Sequence, residues 1–276
     1  MKKITSILFS MMAVVMLVSC EKDPQPEPEP TPVDPENPAV LVMIPDAVTD
    51  IEGHHYDAVQ IGSQVWMAQN LRAHRYADST AIPYVDNTNG LNLRLYYPDN
   101  DVNNVEEYGY LYNWTTAVRG VSSGSDANPS GVQGVCPDGW HLPSDAEWTQ
   151  LTDYLSQHHI NCGDDPTAIA KALACSTGWK VSYAECAVGN TPEYNNTTGF
   201  SARPAGTYTD GCVHFGEYAR FWSSTDIEHG GDLTTIYGDN PVVWPAFYRG
   251  IYYHSATVGR GTVDKGEGCS VRCVRD

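Results

Sequence analysis

The sequence predicts an α+β domain of short, irregular strands and two or so helices, and three observations support that fold class. Glycine and tyrosine are abundant in the 276-residue chain, with 24 and 17 copies, whereas phenylalanine occurs five times. Segments that alternate apolar and polar residues are short and are bounded by Gly, Pro or Asp, as strands joined by structured loops are. Apolar stripes at helical spacing occur in few places.

The first segment, residues 1–19, has the layout of an export signal. Two lysines precede an apolar run that is too short to span a bilayer permanently. The run ends in LVSC at residues 17–20, which resembles the lipobox of bacterial lipoproteins, where the cysteine thiol receives a diacylglycerol. We therefore expect a lipid on Cys20, and an ordinary secretory peptide followed by an accidental cysteine is the alternative.

Residues 20–45 are predicted to be a linker. Between residues 24 and 38, seven prolines alternate with four acidic residues. Such a segment cannot fold into a core, and it favours an extended strut that rises roughly 3 Å per residue, on the order of 50 Å in all. We interpret it as a tether, with a proline-rich ligand for a recognition domain as the alternative.

The charge of the chain restricts its partners. Removal of the signal peptide takes away two lysines and leaves 14 basic against 34 acidic residues, a net charge of −20. Nucleic acid and anionic membrane surfaces are therefore not expected as partners, and membrane contact is expected only through the lipid anchor. A neutral polysaccharide, a cationic ligand, a divalent metal and another protein all remain open.

The domain is predicted to span residues 46–276, and it begins with a β-hairpin. Residues 55–61 and 64–68 alternate apolar and polar side chains on either side of a Gly62-Ser63 turn. Further strands are expected at residues 199–202, 220–224, 246–253 and 270–275.

Two helices are predicted. Ser144 and Glu147 have the spacing of a capping box, and Trp148, Leu151 and Leu155 follow as an apolar stripe to about Gln157. The second helix is expected from residue 167 to residue 175.

Six motifs occur along the domain in a characteristic order. They are VQIGSQVWMAQNLR (59–72), YGYLYNW (108–114), VCPDGWHLPSDAEW (135–148), GFSARPAG (199–206), FWSST (221–225) and SVRCVRD (270–276). Together they resemble the Fibrobacter succinogenes major paralogous domain, a family of exported bacterial domains. WHLPSDAEW followed by a terminal VRCV is also similar to C-type lectin-like and formylglycine-generating-enzyme folds. The resemblance implies a C-type lectin-like architecture and no settled activity.

Seven cysteines follow Cys20, and an exported compartment permits disulfides between them. The lectin-like fold brings its chain ends together, so the resemblance implies a bridge from Cys136 to Cys273. Closing so long a loop would contribute on the order of 4 to 5 kcal/mol. We hypothesise further bridges from Cys212 to Cys269 and from Cys162 to Cys175 or Cys186, with buried free thiols as the alternative.

Two patterns in the sequence resemble catalytic motifs, but neither has the surroundings that its chemistry needs. Gly120 to Gly124 fits the G-x-S-x-G pattern around Ser122, but a helix-like segment precedes it and a loop follows, whereas a nucleophile elbow needs a strand before the serine and a helix after it. Cys269 and Cys273 are similar in kind to the paired thiols of formylglycine-generating enzymes, although the surrounding motif is absent and a structural disulfide explains Cys273 better. No catalytic residue and no cofactor are therefore predicted.

No metal site is predicted either. The adjacent pairs His54-His55 and His158-His159 point their side chains apart, and no H-E-x-x-H or C-x-x-C motif is present. The sugar-binding loops of calcium-dependent lectins are also missing from the sequence.

Aromatic residues indicate where a ligand would bind. Trp66, Trp140, Trp148 and Trp222 lie inside the motifs and are predicted to be core. Residues 226–253 lie between motifs and mix aromatic faces with polar tips, as a sugar or protein site does, with self-packing as the alternative. The candidate ligand-binding residues in this stretch are Tyr237, Asp239, Asn240 and Trp244.

We therefore expect an outer-membrane lipoprotein, exposed at the cell surface, that acts as a non-catalytic recognition or adhesion module for a glycan or protein. An acidic stretch after the cysteine, similar to the surface-export signal of Bacteroidetes lipoproteins, agrees with that location. The alternatives are an envelope-anchored enzyme related to sulfatase-modifying proteins and a structural subunit of a surface assembly.

Overall fold

A computed structural model of the chain describes residues 39–84, 93–120, 125–227 and 245–276. It confirms the α+β class, with several short antiparallel sheets and four helices among these residues. The strands are β1 (Leu41–Thr49), β2 (His55–Ile61), β3 (Gln64–Met67), β4 (Leu95–Tyr96), β5 (Leu111–Tyr112), β6 (Trp140–His141), β7 (Thr207–Tyr208), β8 (Cys212–Val213), β9 (Tyr218–Asp226), β10 (Ala246–Tyr252), β11 (Gly259–Val263) and β12 (Val274–Arg275). The helices are α1 (Val105–Tyr108), α2 (Trp114–Ala117), α3 (Asp145–Gln157) and α4 (Ala170–Leu173).

Two sheets organise the domain. The larger has five antiparallel strands in the order β1-β2-β3-β12-β6, so the last strand of the chain lies between strands that precede α3. The smaller has three antiparallel strands in the order β11-β10-β9. Two-stranded pairs, β4 with β5 and β7 with β8, complete the described sheets.

The predicted hairpin is confirmed as β2 and β3. Ala58 pairs with Met67 and Ile61 pairs with Gln64, so the strands meet at the Gly62-Ser63 turn. Gly62 has a φ of +62°, and a Cβ there would lie 2.8 Å from the Tyr154 ring. Both the turn and the approach of α3 therefore require glycine at this position.

The predicted long helix is confirmed as α3, capped at Ser144. The Ser144 hydroxyl accepts from the Glu147 amide, and the Glu147 carboxylate accepts from the Ser144 amide. Trp148, Leu151 and Leu155 are buried on one stripe of the helix. None of the helices in the described residues is long and apolar enough to cross a bilayer.

Several predicted elements are shorter than expected or missing. Residues 199–202 were expected as a strand, but Gly199 and Ser201 adopt positive φ angles, which interrupt an extended chain, and only Ala202 forms a bridge, to Ala174. That bridge also ends the second helix, because Ala174 leaves the helical conformation to make it. Only residues 274–275 of the predicted final strand pair as β12.

The first strand lies partly in the predicted linker. β1 begins at Leu41 and pairs with β2, so ordered structure precedes residue 46. The sequence signal was weak because β1 is largely exposed and contains Pro45. Its pairing register also shifts between Ile44 and Val48.

The tryptophans of the motifs are core residues, as predicted. Trp66, Trp140, Trp148 and Trp222 are all less than 5 % exposed. The Trp66 and Trp148 rings lie 4.5 Å apart, where the five-stranded sheet meets α3.

Two disulfides lie in the described residues. Cys136 is bonded to Cys273, the pair implied by the resemblance, with a Cα–Cα distance of 6.0 Å. Cys162 is bonded to Cys186, which settles the choice left open between Cys175 and Cys186.

The hypothesis that Cys212 pairs with Cys269 is wrong. Both of these cysteines, like Cys175, are free. Cys269 is completely buried beside β5, where its backbone bonds to Tyr112. Cys212 is partly exposed on β8, and its sulfur accepts from the Asp99 amide.

A buried arginine explains why three of the motifs occur together. The Arg272 guanidinium is completely buried, donates to the carbonyls of Met67 and Ser201, and also binds Asn70 and Phe200. Burial lowers the pKa of Arg272 to about 9. Hydrogen bonds with carbonyl and amide oxygens offset the cost of burying the charge, so the motifs that supply them are mutually dependent.

Candidate functional site

The four residues predicted to bind a ligand, Tyr237, Asp239, Asn240 and Trp244, lie outside the described residues. The predicted lipidation site Cys20 and Ser122 of the G-x-S-x-G pattern lie outside them as well. The described part of the predicted recognition stretch includes β10, which carries Tyr248 and Tyr252.

Strand pairing places these two tyrosines beside a third one. Tyr252 pairs with Tyr218 on β9, Gly250 with Arg220, and Tyr248 with Trp222. Because side chains two residues apart share a face of a strand, Tyr218, Arg220, Tyr248 and Tyr252 lie on one side of the sheet. We name this surface the tyrosine face, and all four residues are partly exposed.

Three glycines form the floor beneath two of the rings. A Cβ at Gly250 would lie 2.3 Å from the Tyr252 hydroxyl, and one at Gly259 would lie 2.9 Å from the Tyr252 ring. A Cβ at Gly261 would lie 2.7 Å from the Tyr248 hydroxyl. None of these glycines has a positive φ angle, so the backbone does not require glycine there. Glycine instead leaves room for the tyrosine rings, which lie directly against the strands.

The tyrosine side chains contact one another and a single arginine. The Tyr218 and Tyr252 rings are 4.9 Å apart and nearly perpendicular, and the Tyr252 hydroxyl donates to the Tyr248 hydroxyl at 3.3 Å. The Arg220 guanidinium lies 5.4 Å from the Tyr218 ring centre and 4.7 Å from that of Tyr248. These contacts fix the rings relative to one another.

The charged groups on and beside the tyrosine face lie next to groups of opposite charge. Burial, together with the hydrogen bond to Tyr248, raises the pKa of Tyr252 above its ordinary value, so its phenol stays protonated. The Arg220 guanidinium lies 3.9 Å from Glu267. Glu217, the residue before Tyr218, contacts both Lys180, at 2.7 Å, and His214, at 3.2 Å. Arg220 and Lys180 therefore each have a carboxylate beside them.

Two imidazoles extend the aromatic surface. His214 stacks on Tyr218 with 4.1 Å between ring centres and 21° between planes. His254 lies 6.0 Å from Tyr252 and is exposed. The aromatic surface is thus wider than the three tyrosines alone.

The opposite side of the same sheet is used for packing. There Arg249 is buried and contacts Asp145, the first residue of α3, at 2.8 Å. Arg260 of β11 reaches the second oxygen of the same carboxylate, also at 2.8 Å. The sheet therefore has one side closed by α3 and one side on which the buried Trp222 lies beside the partly exposed tyrosines.

A cavity of about 330 Å³ lies elsewhere, beside His141. Both nitrogens of His141 are engaged, one with Glu147 and one with Asp276, each at 2.7 Å. Burial alone would lower the pKa of His141, but these hydrogen bonds outweigh it and raise the pKa. This histidine links the cap of α3 to the end of the chain, which is a structural role.

Asp50, Glu52 and His54 group together near the turn after β1, and their ligand atoms lie within 4.8 Å of one another. Asp50 already accepts four hydrogen bonds, from the amides of Glu52 and His54, the His54 ring and the Tyr56 hydroxyl. Glu52 binds His74 at 2.7 Å. These contacts account for the cluster as a hydrogen-bonded turn without a metal.

The two cysteines that could have formed a reactive thiol pair do not do so. Cys273 is bonded to Cys136, and Cys269 is completely buried. Burial raises the pKa of the Cys269 thiol, which disfavours its reactive thiolate form.

Tyr218, Arg220 and the three glycines were not predicted as site residues. A readable signal existed, because Tyr-x-Arg at 218–220, Tyr-x-Gly-x-Tyr at 248–252 and Gly-x-Gly at 259–261 each have the period of a strand. What the sequence did not provide was the knowledge that these three strands are neighbours.

Comparison with known proteins gives one match. The family model of the Fibrobacter succinogenes major domain matches residues 59–275. The search of curated proteins and the search of solved structures each found no significant match.

Proposed function

The chain belongs to the Fibrobacter succinogenes major domain family, and on that premise we propose that it is a surface-displayed recognition module that binds its ligand through the tyrosine face. The observation that carries the proposal is the glycine floor. Gly250, Gly259 and Gly261 lie where larger residues would displace the rings of Tyr248 and Tyr252. A sheet face that served only for packing would instead fill this space with apolar side chains.

The tyrosine side chains of the face are suited to binding a ligand. Tyrosine offers a broad apolar ring with a polar tip, and it loses little conformational entropy when a ligand immobilises it. The contacts among the rings and Arg220 already hold them in place, so little ordering remains to be done on binding.

The proposed setting is the outer surface of the cell envelope. A lipid on Cys20 would anchor the chain, and the proline-rich linker would hold the domain on the order of 50 Å from the bilayer. Both parts rest on the sequence of residues 1–45. In this setting a binding face reaches ligands outside the cell.

We also propose a C-type lectin-like architecture. Its support is the placement of β12 between β3 and β6, together with α3 following directly after the WHLPS segment. The Cys136 to Cys273 disulfide clamps the same region. In this arrangement the end of the chain closes the sheet on which the domain is built.

Binding is tested with the full-length chain purified in detergent micelles. It is screened against immobilised polysaccharides and proteins, and each hit is measured again with the Tyr248→Ala/Tyr252→Ala variant. We expect binding to fall at least tenfold, about 1.4 kcal/mol, as for the central residues of other interfaces. Thr262→Ala is the matched control, because Thr262 is an exposed residue of β11 on the opposite side of the sheet. A ligand that binds Tyr248→Ala/Tyr252→Ala as tightly as it binds Thr262→Ala would refute the tyrosine face as the site.

The anchor is tested separately. Cys20→Ala should abolish incorporation of radiolabelled fatty acid and release the protein from the membrane fraction, since no other lipid attachment is proposed. Undiminished labelling in this variant would end the proposal of a lipid on Cys20.

A further inference from the structure

We infer that the ligand of the tyrosine face is a neutral glycan chain, an inference that rests on the proposed function and names the ligand class for it. The shape of the face, its charge and its small number of residues all favour such a ligand.

The shape of the face matches the apolar side of a sugar ring. Tyr252 and Tyr248 lie against the glycine floor, so their rings follow the sheet surface instead of standing away from it. Sugars carry C–H bonds on one ring face and hydroxyls around the edge. A tyrosine ring packs against the C–H face while its hydroxyl exchanges hydrogen bonds with the edge.

The length of the face suits more than one sugar. Tyr248 and Tyr252 are four residues apart on β10, which corresponds to about 13 Å along a strand. Tyr218 lies beside Tyr252 on the neighbouring strand. The rings thus form a continuous surface, and its length is that of a short oligosaccharide segment.

The charge of the protein favours a neutral glycan over an anionic one. The chain carries a net charge of −18, which opposes the approach of a polyanion. The cations at the face do not reverse this, because Arg220 faces Glu267 and Lys180 is bonded to Glu217. Recognition of a sulfated or uronic-acid chain would require cations that are free to pair with it.

The small size of the tyrosine face favours a glycan over a protein as its ligand. A stable protein interface covers about 800 Å² and roughly 20 to 30 residues on each side, whereas the tyrosine face comprises four partly exposed residues. On this face the Arg220 guanidinium lies over the Tyr218 and Tyr248 rings. So few residues suit contact with a few sugar units better than a protein interface, and the Arg220 guanidinium is a hydrogen-bond donor suited to sugar hydroxyls.

The deciding experiment is calorimetric titration of the full-length chain in detergent micelles. The neutral probes are soluble β-glucan, xylan, mannan and galactan, and the anionic probes are polygalacturonate and heparin. We expect at least one neutral polysaccharide to bind, with an affinity that changes little between low and high salt, because no ion pairs form. Neither anionic probe should bind more tightly than that neutral one.

Variants connect this binding to the face. Tyr252→Ala should weaken the neutral glycan at least tenfold, whereas Tyr252→Phe, which retains the ring, should weaken it less. Gly259→Ala should also weaken it, because the new methyl group displaces the Tyr252 ring while every ligand-facing side chain is kept. Thr262→Ala should bind as the wild type does.

The outcomes separate the two proposals. If an anionic glycan or a protein binds and is lost in Tyr252→Ala, the neutral-glycan inference falls while the tyrosine face stands as the site. If no neutral polysaccharide binds at millimolar concentration, the inference also falls. If a neutral polysaccharide binds Tyr252→Ala and Gly259→Ala as tightly as the wild type, both proposals are wrong.

Discussion

One side of the three-stranded sheet contains two kinds of aromatic residue, and their difference separates folding from recognition. Trp222 and Tyr248 pair across neighbouring strands, and Tyr218 lies four residues before Trp222. Trp222 is completely buried and its indole N–H donates to the Tyr112 carbonyl at 2.7 Å. Tyr252 is partly exposed, and its hydroxyl donates to another surface tyrosine.

What surrounds each ring accounts for the difference. Trp222 packs within a core cluster that includes Trp114, Leu142 and Val271, so its neighbours have no other residue to contact if it is removed. Tyr252 rests on the backbone of Gly250 and Gly259, which is held by strand hydrogen bonds whether or not the ring is present. Tyr248 also packs against the edge of that cluster. We therefore expect losses in the core to reduce mainly stability, and losses on the tyrosine face to reduce mainly binding.

The disulfide that clamps the core should produce the largest effect on stability. Cys136 and Cys273 are separated by 137 residues, and the chain-entropy estimate for a loop of that length is about 5 kcal/mol. Cys136→Ser/Cys273→Ser should lose up to about this amount of unfolding free energy in a urea titration.

A second disulfide serves as the control for loop length. Cys162 and Cys186 are separated by 24 residues, for which the same estimate is about 3.5 kcal/mol. Cys162→Ser/Cys186→Ser should therefore be destabilised less. Equal losses, or a larger loss for the shorter loop, would contradict the assignment of the main clamp to Cys136 and Cys273.

The buried tryptophan should come next. Trp222→Ala should cost about 3 to 5 kcal/mol of unfolding free energy, because it leaves a cavity in the core and removes the donor to the Tyr112 carbonyl. The measurement is a denaturant titration beside Tyr252→Ala, for which about 1 kcal/mol is expected. Similar losses in the two variants would remove the distinction between core and face.

A smaller effect should come from His141 and should depend on pH. Because its pKa is raised in the folded state, its contribution is fully present below the unfolded value of about 6.5 and is lost as the pH rises through the folded pKa. His141→Gln, which retains a donor for Glu147, should lose this part of the pH dependence in melting curves recorded from about pH 5 to about pH 9. Tyr252→Ala should retain the wild-type pH profile, since the tyrosine face takes no part in it.

The smallest effect on stability should come from the glycine floor. Gly259→Ala requires no forbidden backbone angle, and the nearest atoms to the new methyl group belong to the movable ring of Tyr252. We expect a change within about 1 kcal/mol in either direction. A loss comparable to that of Trp222→Ala would show that the Tyr252 ring cannot move and is part of the core.

Sequence reasoning succeeded where the signal is local or lies within a motif. The capping box of α3 is readable because Ser144 and Glu147 are three residues apart, and the hairpin is readable because one turn joins its strands. The motif tryptophans were correctly predicted as core, whereas the Cys136 to Cys273 bridge was implied by the resemblance.

It failed where distant segments meet. Tyr218 and Tyr252 become neighbours only through the pairing of β9 with β10, and the glycine floor needs β11 as well. The strand expected at residues 199–202 failed for a related reason. Its chain turns at Gly199 and Ser201 to present carbonyls to the distant Arg272, and no local pattern shows such a requirement.

The most direct test of the account is one variant measured in two ways. Tyr248→Ala/Tyr252→Ala removes both rings that lie on the glycine floor, and its melting temperature and its affinity for the best polysaccharide are compared with those of the wild type. The account predicts a fall of only a few degrees in melting temperature together with an affinity at least tenfold weaker. A fall as large as that of Trp222→Ala, with affinity unchanged in the fraction that remains folded, would show that these tyrosines hold the fold and do not bind the ligand.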